Sequence, residues 1–479
     1  MPTKHASRNI EVITFIISLI YIGASVFFGS AGTSWGSTFI SISDIHFNPF
    51  YDPSIMEQLI KTDSEGWDKV FGKSVVTGLG DYGNEETNYN LFLSTLKNMG
   101  NPGEKPDFII FTGDILAHDF NARFRQFKPD SSKEELDRFI LKTVKFVING
   151  LSHVFPSTEI FFSLGNTDSY NGDYAIAPKG KFLRDTSNTI YEDFFKKSEN
   201  KEKFFKTYTE GGYYSKSVSG LQKARIISLN TVFFSVKYEN TSPSNMYYDP
   251  ARKELEWLAK ELKSAAGQNE RVWLLLHIPV GINVYSTRHK FLDDSGKLTD
   301  VLPFWKPQYS RRFLVLTDVY SQIIKAMFAG HTHMDTFRVT KSGNREVDPS
   351  CFIHVSPAIS PQFGNNPGYE VFTYDKGDFT LTDYEVHYLN LENSAIGVDS
   401  PWVLEYSFAE AYQVTSISSR SLNKLLVKFE NNSDFRSLWM KYYNVSHTSA
   451  PGITHKDWKS YWLGMGKLIE NNYLSCFNH

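Results

Sequence analysis

The stretch Phe108-Ile-Ile-Phe-Thr-Gly-Asp114-Ile-Leu-Ala-His118-Asp119 contains the pattern that decides the fold. Four apolar residues are followed at once by polar side chains, which is typical of a buried β-strand that ends in a loop. Gly113 allows the chain to turn sharply where the apolar run stops. The same pattern recurs along the chain, in short and largely apolar runs at 39–43, 160–163, 226–229, 272–276 and 326–328.

Helical stretches separate these runs. Residues 132–147 form one such stretch, and residues 251–263 form another that places Leu255, Leu258 and Leu262 on one face. Because strands alternate with helices, the sequence predicts an α/β fold.

The pattern changes in the C-terminal part of the chain. Three further runs there predict strands in a meander, at 351–355, 369–374 and 379–389. Helical patterns then follow at 407–412, 422–429, 435–443 and 455–472. We therefore predict a main domain over residues 37–395 and a small C-terminal helical subdomain over residues 396–479.

Composition limits the classes of function that remain open. The 479 residues are 41% hydrophobic and carry a formal net charge of −3, with the charges interspersed and no basic stripe. Nucleic acid is therefore not a favoured partner. The chain has no Gly-x-Gly-x-x-Gly, Walker or Gly-x-Ser-x-Gly motif, which counts against dinucleotide, kinase-type and α/β-hydrolase sites. The two cysteines, Cys351 and Cys476, could form one disulfide, and their spacing leaves this open.

The N-terminus has the pattern of an export signal. Lys4 and Arg8 precede an apolar run at 12–28, and small residues follow at 29–32. The run is long for a signal peptide and just long enough to span a bilayer, so residues 1–34 predict either a signal peptide or an N-terminal membrane anchor. Both interpretations place the rest of the chain outside the cytoplasm, and the second adds a membrane association.

Polar clusters follow five of the predicted strands. They are Asp44-Ile-His46, Gly113-Asp114, Gly165-Asn166-Thr167-Asp168, His277 and Gly330-His331-Thr-His333. In an open α/β sheet, ligands bind where the carboxyl ends of the strands meet. Carboxylate, imidazole and amide groups suit borderline divalent metals. The clusters therefore predict a shared metal site.

Each cluster alone has a simpler interpretation. A lone Asp-x-His motif is usually part of a capped turn, and a lone Gly-Asn-x-Asp motif is most often a tight turn. His277 alone could be a histidine of the core whose hydrogen bonds are satisfied. It is the occurrence of all five, in this order and each after a predicted strand, that favours the metal site.

In this order the motifs resemble the calcineurin-like metallophosphoesterase superfamily, and more closely the acid sphingomyelinase-like phosphodiesterases. His118, four residues after Asp114, resembles a histidine of that family's second motif. The segments 80–83 and 402–412 resemble an early loop and the C-terminal helical region of the same family. The resemblance runs from about Thr38 to the C-terminus. It implies a β-sandwich flanked by helices, with the small helical subdomain at the end.

The resemblance also implies two divalent metal ions as cofactors, with zinc favoured and iron or manganese as alternatives. One ion would take Asp44, His46, Asp114 and His333, and the other would take Asp114, Asn166, His277 and His331. Asp114 would bridge the pair, because each of its two oxygens could hold one ion. Two such ions activate a bridging hydroxide for attack on phosphorus and offset developing charge.

Candidate residues for substrate chemistry lie beside the ligands. His118 is predicted to be the general acid or a transition-state stabiliser, and the alternative is that it only orients a metal ligand. Thr167 stands where the family usually has a histidine. It cannot carry a positive charge, which favours a substrate with a good leaving group. Thr167, Asp168 and Tyr170 could line the substrate pocket, or they could form a solvated loop.

The predicted function is therefore hydrolysis of a small-molecule or lipid phosphodiester, with sphingomyelin-like headgroups as the leading substrates. A nucleotide pyrophosphatase, phosphodiesterase or polyphosphatase using the same site is the first alternative. A metal-binding module that has lost catalysis is the second, and only the replacement of the usual histidine by Thr167 supports it.

Overall fold

The computed structural model describes residues 37–83, 86–100, 105–196, 200–241, 248–341, 349–392, 397, 399–449 and 452–479. The predicted signal or anchor segment at 1–34 and the predicted boundary near residue 395 lie outside these residues. Within the part that is described, no helix combines the length and the apolar character needed to cross a membrane.

Twelve strands are present in the described residues. They are β1 (Ser37–Ile42), β2 (Phe108–Phe111), β3 (Glu159–Phe162), β4 (Tyr214–Ser217), β5 (Ala224–Ser228), β6 (Arg271–Leu275), β7 (Ile324–Ala329), β8 (Thr336–Thr340), β9 (Cys351–Val355), β10 (Gly368–Tyr374), β11 (Leu381–Tyr388) and β12 (Val403–Ser407).

Fifteen α-helices accompany them in the same residues. They are α1 (Met56–Lys61), α2 (Trp67–Phe71), α3 (Tyr89–Met99), α4 (Phe120–Phe127), α5 (Lys133–Val154), α6 (Lys181–Thr189), α7 (Lys201–Gly211), α8 (Pro250–Gly267), α9 (Val284–Phe291), α10 (Pro307–Val319), α11 (Phe408–Tyr412), α12 (Ser419–Asn431), α13 (Ser433–Tyr442), α14 (Trp458–Gly466) and α15 (Glu470–Asn478).

The strands form two six-stranded mixed sheets. The first has the order β12-β11-β10-β1-β2-β3, and the second has the order β4-β5-β6-β7-β9-β8. Strands β1, β2 and β3 run parallel to one another, as do β5, β6, β7 and β9. Parallel neighbours end at the same edge of a sheet, so the loops after β1, β2, β3, β6 and β7 can meet. Those are the loops that carry the five polar clusters.

Aromatic side chains fill the space between the two sheets. The ring of Phe39 from the first sheet lies 4.9 Å from that of Trp273 and 5.6 Å from that of Phe328, both from the second sheet. All three side chains are completely buried. Such rings bury large apolar areas, and this is the main favourable contribution to packing the sheets together. The two sheets with their flanking helices confirm the predicted α/β sandwich.

Most predicted elements are confirmed, with two corrections. The C-terminal part is not entirely helical, because β12 pairs with β11 and extends the first sheet. The predicted helix at 455–472 is two helices, α14 and α15. The backbone of Lys467 leaves the helical region at φ −118° and ψ 84°, directly after Gly466. Both cysteines are free thiols, and Cys351 is buried.

Candidate active site

The first group of candidate ligands consists of Asp44, His46 and His333. Asp44 and His46 follow the end of β1, and His333 follows β7. The Nε2 atoms of the two histidines lie 3.1 Å apart, and Oδ1 of Asp44 lies 3.7 Å from Nε2 of His46 and 3.5 Å from Nε2 of His333. His46 is oriented through its Nδ1 atom, which lies 3.0 Å from the carbonyl oxygen of Leu116. All three ligand side chains are buried.

The second group consists of Asp114, Asn166, His277 and His331. The Nε2 atom of His277 lies 3.0 Å from Oδ2 of Asp114 and 3.1 Å from Oδ1 of Asn166. The Nδ1 atom of His277 lies 2.7 Å from the carbonyl oxygen of Thr112, which fixes the ring. The His331 ring lies 5.2 Å from the His277 ring, and one ligand atom from each of Asp114, His277 and His331 lies within 4.8 Å of the others.

Asp114 stands between the two groups. Its Oδ2 atom lies 3.4 Å from Nε2 of His46 and 3.0 Å from Nε2 of His277. Its Oδ1 atom accepts hydrogen bonds from Thr167, at 2.8 Å from the backbone nitrogen and 2.9 Å from Oγ1. Oδ2 is therefore the oxygen that faces both groups.

The loops that carry the ligands need an unusual backbone. A Cβ atom on Gly165 would collide with Asp114, and one on Gly330 would collide with Asp44 and with Ser43. Positive φ angles, between 45° and 69°, occur at Asp44, His46, Asp114, His331 and His333. Non-glycine residues adopt this region at a cost, and such strain clusters at functional sites.

Charges in the site are strongly coupled. Burial opposes protonation of His46, but Asp114, Asp44 and Glu86 together outweigh it and raise the pKa of His46 to about 10. Burial also opposes protonation of His277, but Asp114, Asp44 and the carbonyl of Thr112 together outweigh it and raise the pKa of His277 to about 9. Burial lowers the pKa of His333 to about 3. Burial also opposes ionisation of Asp114, but His277 and His46 hold its pKa well below the usual range. The carboxylates therefore attract positive charge into a buried space.

This donor set fits divalent cations. Four imidazole rings, two carboxylates and one amide oxygen converge. The Nε2 atoms of His46 and His333 lie 3.1 Å apart, so that a proton is needed on only one of the two nitrogens. Cations bound there would replace the protons that His46 and His277 otherwise hold.

His118 lies beside the first group and is held by Glu86. Its ring stacks on that of His46 at 4.2 Å, and its Nδ1 atom lies 2.6 Å from Oε1 of Glu86. The same carboxylate oxygen accepts the backbone N–H of His118 at 2.9 Å, and Nε of Arg123 donates to the carbonyl oxygen of His118 at 3.0 Å. Sequence reasoning missed Glu86, which lies 32 residues earlier in a loop with no motif of its own.

The three residues predicted to contact substrate have different roles in the structure. Thr167 is buried and binds Asp114, as described above. Asp168 is completely buried, and its carboxylate accepts the N–H groups of Asp114, Ile115 and Gly165. Tyr170 is 3% exposed, and its hydroxyl donates to Asp185 on α6. Asp168 and Tyr170 therefore brace the loops, and their contact with substrate stays a prediction.

Three aromatic residues border the ligands, and sequence reasoning identified none of them. The hydroxyl of Tyr174 lies 3.5 Å from Nε2 of His331, and the Phe304 ring lies 5.3 Å from the ring of that histidine. The ring of Phe363 lies 4.5 Å from that of His333. Tyr174 and Phe304 are half-buried, whereas Phe363 is 52% exposed.

The C-terminal part of the chain contacts the loop that carries His333. Asp335, two residues after His333, accepts hydrogen bonds from the hydroxyls of Tyr384 and Tyr406. Its backbone nitrogen donates to the carbonyl oxygen of Tyr443 at 2.9 Å. Residues far along the sequence therefore fix the position of a candidate metal ligand.

Residues 37–335 match the family described as calcineurin-like phosphoesterase, which covers more than half of the chain. The chain belongs to the calcineurin-like phosphoesterase family. Residues 348–478 of this phosphoesterase match the acid sphingomyelin phosphodiesterase C-terminal region. Both matches confirm the resemblance read from the motifs. The phosphoesterase is thus a hydrolase of phosphoric esters, and its candidate ligands suit the divalent metals that the family uses.

Named relatives of the phosphoesterase are phosphodiesterases. It is 28% identical over 427 residues to the cyclic GMP-AMP phosphodiesterase SMPDL3A of Mus musculus, covering 86% of this chain and 85% of the relative. It is 29% identical over 461 residues to sphingomyelinase phosphodiesterase C of Dictyostelium discoideum, covering 92% of each. A solved dimetal phosphatase from Danio rerio aligns with a TM-score of 0.41 at 13% identity, covering 77% of this chain and 98% of that one.

Proposed function

We propose that this phosphoesterase hydrolyses a phosphodiester at a dinuclear metal centre. The single observation that carries the proposal is the position of Asp114, whose Oδ2 atom faces His46 on one side and His277 on the other. A carboxylate placed between two ligand groups could serve as a shared ligand for two neighbouring cations.

The ligand assignment follows from this geometry. Asp44, His46 and His333 would hold one ion, Asn166, His277 and His331 the other, and Asp114 both. When bound, such ions act as Lewis acids on the phosphate and supply an activated water as nucleophile. Zinc suits the imidazole-rich donor set, and iron and manganese suit it as well.

The protein itself supplies the proton for the leaving group. Glu86 accepts the Nδ1 proton of His118, so in the doubly protonated ring the Nε2 proton is the one that passes to the departing oxygen. The His118 side chain is 21% exposed, so a substrate can reach it, whereas Glu86 is completely buried. We therefore assign His118 as the general acid.

Thr167 bears on the choice of substrate. Its hydroxyl donates to Oδ1 of Asp114, so it points to a metal ligand and cannot protonate a leaving group. With His118 as the one histidine assigned to that task, a leaving group that departs easily is favoured. A nucleoside phosphate or pyrophosphate meets this condition as a leaving group better than the ceramide alkoxide of a sphingomyelin-like lipid. The relative named as a cyclic GMP-AMP phosphodiesterase supports the nucleotide substrate, and the relative named as a sphingomyelinase phosphodiesterase supports the lipid.

The experiment is a substrate panel run on protein of measured metal content. Bis(p-nitrophenyl) phosphate, sphingomyelin micelles and nucleoside triphosphates are each assayed with and without a chelator. We expect chelator-sensitive turnover of the chromogenic diester and of a nucleotide. Absence of turnover with every metal supplied would favour the alternative of a metal-binding module without catalysis. Turnover of sphingomyelin alone would favour the lipid substrate over the nucleotide.

The N-terminal pattern supports a location outside the cytoplasm. Residues 1–34 combine a basic start, an apolar run and small residues, which is typical of exported chains. We propose that the enzyme acts as a secreted or membrane-anchored protein. Expression with a C-terminal tag, followed by fractionation and N-terminal sequencing of the mature chain, distinguishes these two states.

A further inference from the structure

Phe363 is an exposed aromatic ring at the edge of the candidate metal ligands. Its centroid lies 4.5 Å from that of His333 and 5.8 Å from that of His118, with interplanar angles of 74° and 79°. Just over half of its surface, 52%, is open to solvent. Single exposed apolar side chains are common on protein surfaces and need no role. The position of Phe363, in contact with both a candidate ligand and the candidate acid, sets it apart.

The loop that carries Phe363 is held at both ends. Before it, the backbone nitrogen of Ser360 donates to the carbonyl oxygen of Asp44 at 3.1 Å. After it, the carbonyl oxygen of Gly364 lies 2.8 Å from Nδ1 of His447 and accepts Nδ2 of Asn444 at 3.2 Å. The backbone beneath the ring is therefore fixed before any ligand arrives, which reduces the entropy lost on binding.

We propose that Phe363 forms one wall of the leaving-group subsite and receives a planar aromatic ring. The inference rests on the proposed function. The phosphorus atom must lie beside the ligand groups, and the departing oxygen must lie within reach of His118. The group attached to that oxygen then passes the Phe363 ring, because Phe363 contacts both His118 and His333.

The surroundings of Phe363 favour a flat ring over an acyl chain. Its neighbours in the loop, Gln362, Gly364 and Asn365, add no apolar side chain. The other aromatic residues at the site, Tyr174 and Phe304, border His331. An acyl chain would need a continuous apolar strip, whereas a single exposed ring offers a face for stacking. Base–aromatic and ring–ring stacking are also tolerant of the identity of the base. The predicted class of substrate is a phosphodiester whose leaving group carries an aromatic ring, as a nucleoside does.

The test compares two esters that release the same p-nitrophenolate. One is bis(p-nitrophenyl) phosphate, and the other is p-nitrophenyl phosphorylcholine, whose retained group has no ring. Phe363→Ala and Phe363→Leu should each lower kcat/KM about tenfold for both esters, while Phe363→Tyr should stay within about twofold. Metal content should remain equal to that of the unaltered enzyme, since Phe363 supplies no ligand atom.

Val319→Ala is the matched control. Val319 is 66% exposed and ends α10, which leads to the start of β7, the opposite edge of the sheet from His331. This variant should match the unaltered enzyme with both esters.

Three outcomes would overturn the subsite. Unchanged kinetics in Phe363→Ala would show that Phe363 does not contact the leaving group. Full activity in Phe363→Leu would show that a planar ring is not needed at this position. A loss confined to bis(p-nitrophenyl) phosphate would place Phe363 at the retained group. Failure of the unaltered, metal-loaded enzyme with both esters would instead overturn the proposed function, and the subsite with it.

Discussion

The Nδ1 atom of His118 lies 2.6 Å from Oε1 of Glu86, and the backbone nitrogen of His118 lies 2.9 Å from the same oxygen. One buried carboxylate oxygen therefore fixes both the main chain and the ring of the histidine. Because Glu86 can only accept at Nδ1, it keeps a proton on that nitrogen and stabilises the doubly protonated ring, whose Nε2 proton is available to the substrate. We regard Glu86 as a positioning residue.

Glu86→Gln should lower kcat about 10- to 100-fold with little change in KM. The amide of Gln can donate to Nδ1 and so stabilise the wrong tautomer, without altering the surface that binds substrate. Steady-state kinetics with a nucleotide phosphodiester measures the two constants separately. Glu86→Asp, which keeps the charge, should recover part of the loss. Equal losses in both Glu86 variants, together with loss of metal, would indicate a purely structural role.

His118→Ala should reduce turnover roughly 10²- to 10⁴-fold for esters with alkoxide leaving groups. The loss should be much smaller for p-nitrophenyl esters, because p-nitrophenolate departs without a proton. Metal content, measured on the same samples, should be unchanged. If His118→Ala loses metal, the alternative that His118 only orients a ligand is right and the general-acid assignment is wrong.

Asp114→Asn should abolish activity, to below about 1% of the unaltered enzyme. Mutating residues that only support the ligands already lowers metal affinity or activity about 10- to 100-fold, and the loss of a ligand should cost more. It should also reduce bound metal at both sites, since Oδ2 faces both ligand groups. Elemental analysis gives the metal stoichiometry. Asp168→Asn is the control for the neighbouring loop, and it should retain more metal because the Asp168 carboxylate contacts backbone N–H groups only. Loss of a single metal from Asp114→Asn would contradict the bridging role.

The sequence located the candidate ligands because they follow buried strands, and strand ends can be read from local patterns. The structure brings Asp44, Asp114 and His277 together from three such ends. Local patterns do not give the direction of a side chain. Asp168 and Tyr170 lie next to the site in sequence, yet both side chains are buried, and they bond to backbone N–H groups and to Asp185.

Contacts between distant loops could not be predicted from the sequence either. Glu86 meets His118 across 32 residues, and Phe363 meets His118 across a much longer separation. Neither residue has a motif, and no periodicity marks a loop. β12 was missed for a related reason: the helical pattern that follows it dominates the segment, and its pairing with β11 depends on tertiary contacts.

Tyr406→Phe should weaken metal retention about tenfold while leaving kcat of the metal-saturated enzyme near its original value. The Tyr406 hydroxyl donates to Asp335, two residues from His333, so its loss loosens the loop without removing a ligand. Activity remaining after dialysis against graded chelator measures this. Tyr442→Phe is the matched control, because its ring stacks on Tyr406 at 4.0 Å but the substitution leaves the Asp335 contact intact. Equal behaviour of the two variants would contradict a link between the C-terminal region and the metal site.

Glu254→Gln should have a higher free energy of unfolding than the original protein, and the difference should grow as pH rises. Glu254 lies on α8 with no exposed surface, its Oε1 atom accepts the backbone nitrogen of Asn230 at 2.7 Å, and its Oε2 atom has no hydrogen-bond partner. Burial raises the pKa of Glu254 well above its usual value of 4.5. A raised pKa in the folded state means that stability is fully present below pH 4.5 and is lost as pH rises, because the unfolded chain ionises first.

The free energy of unfolding of Glu254→Gln should therefore exceed that of the original protein by about 1–2 kcal/mol at pH 8, and the two should converge near pH 4. Denaturant unfolding across this pH range measures the difference. Gln keeps the acceptor for Asn230 and never ionises, which is why the gain should grow with pH. Glu256→Gln, on the same helix but 46% exposed, should show no such growth between pH 6 and pH 9. A Glu254→Gln variant that is less stable at every pH would mean that the carboxylate is compensated in a way that its contacts do not reveal.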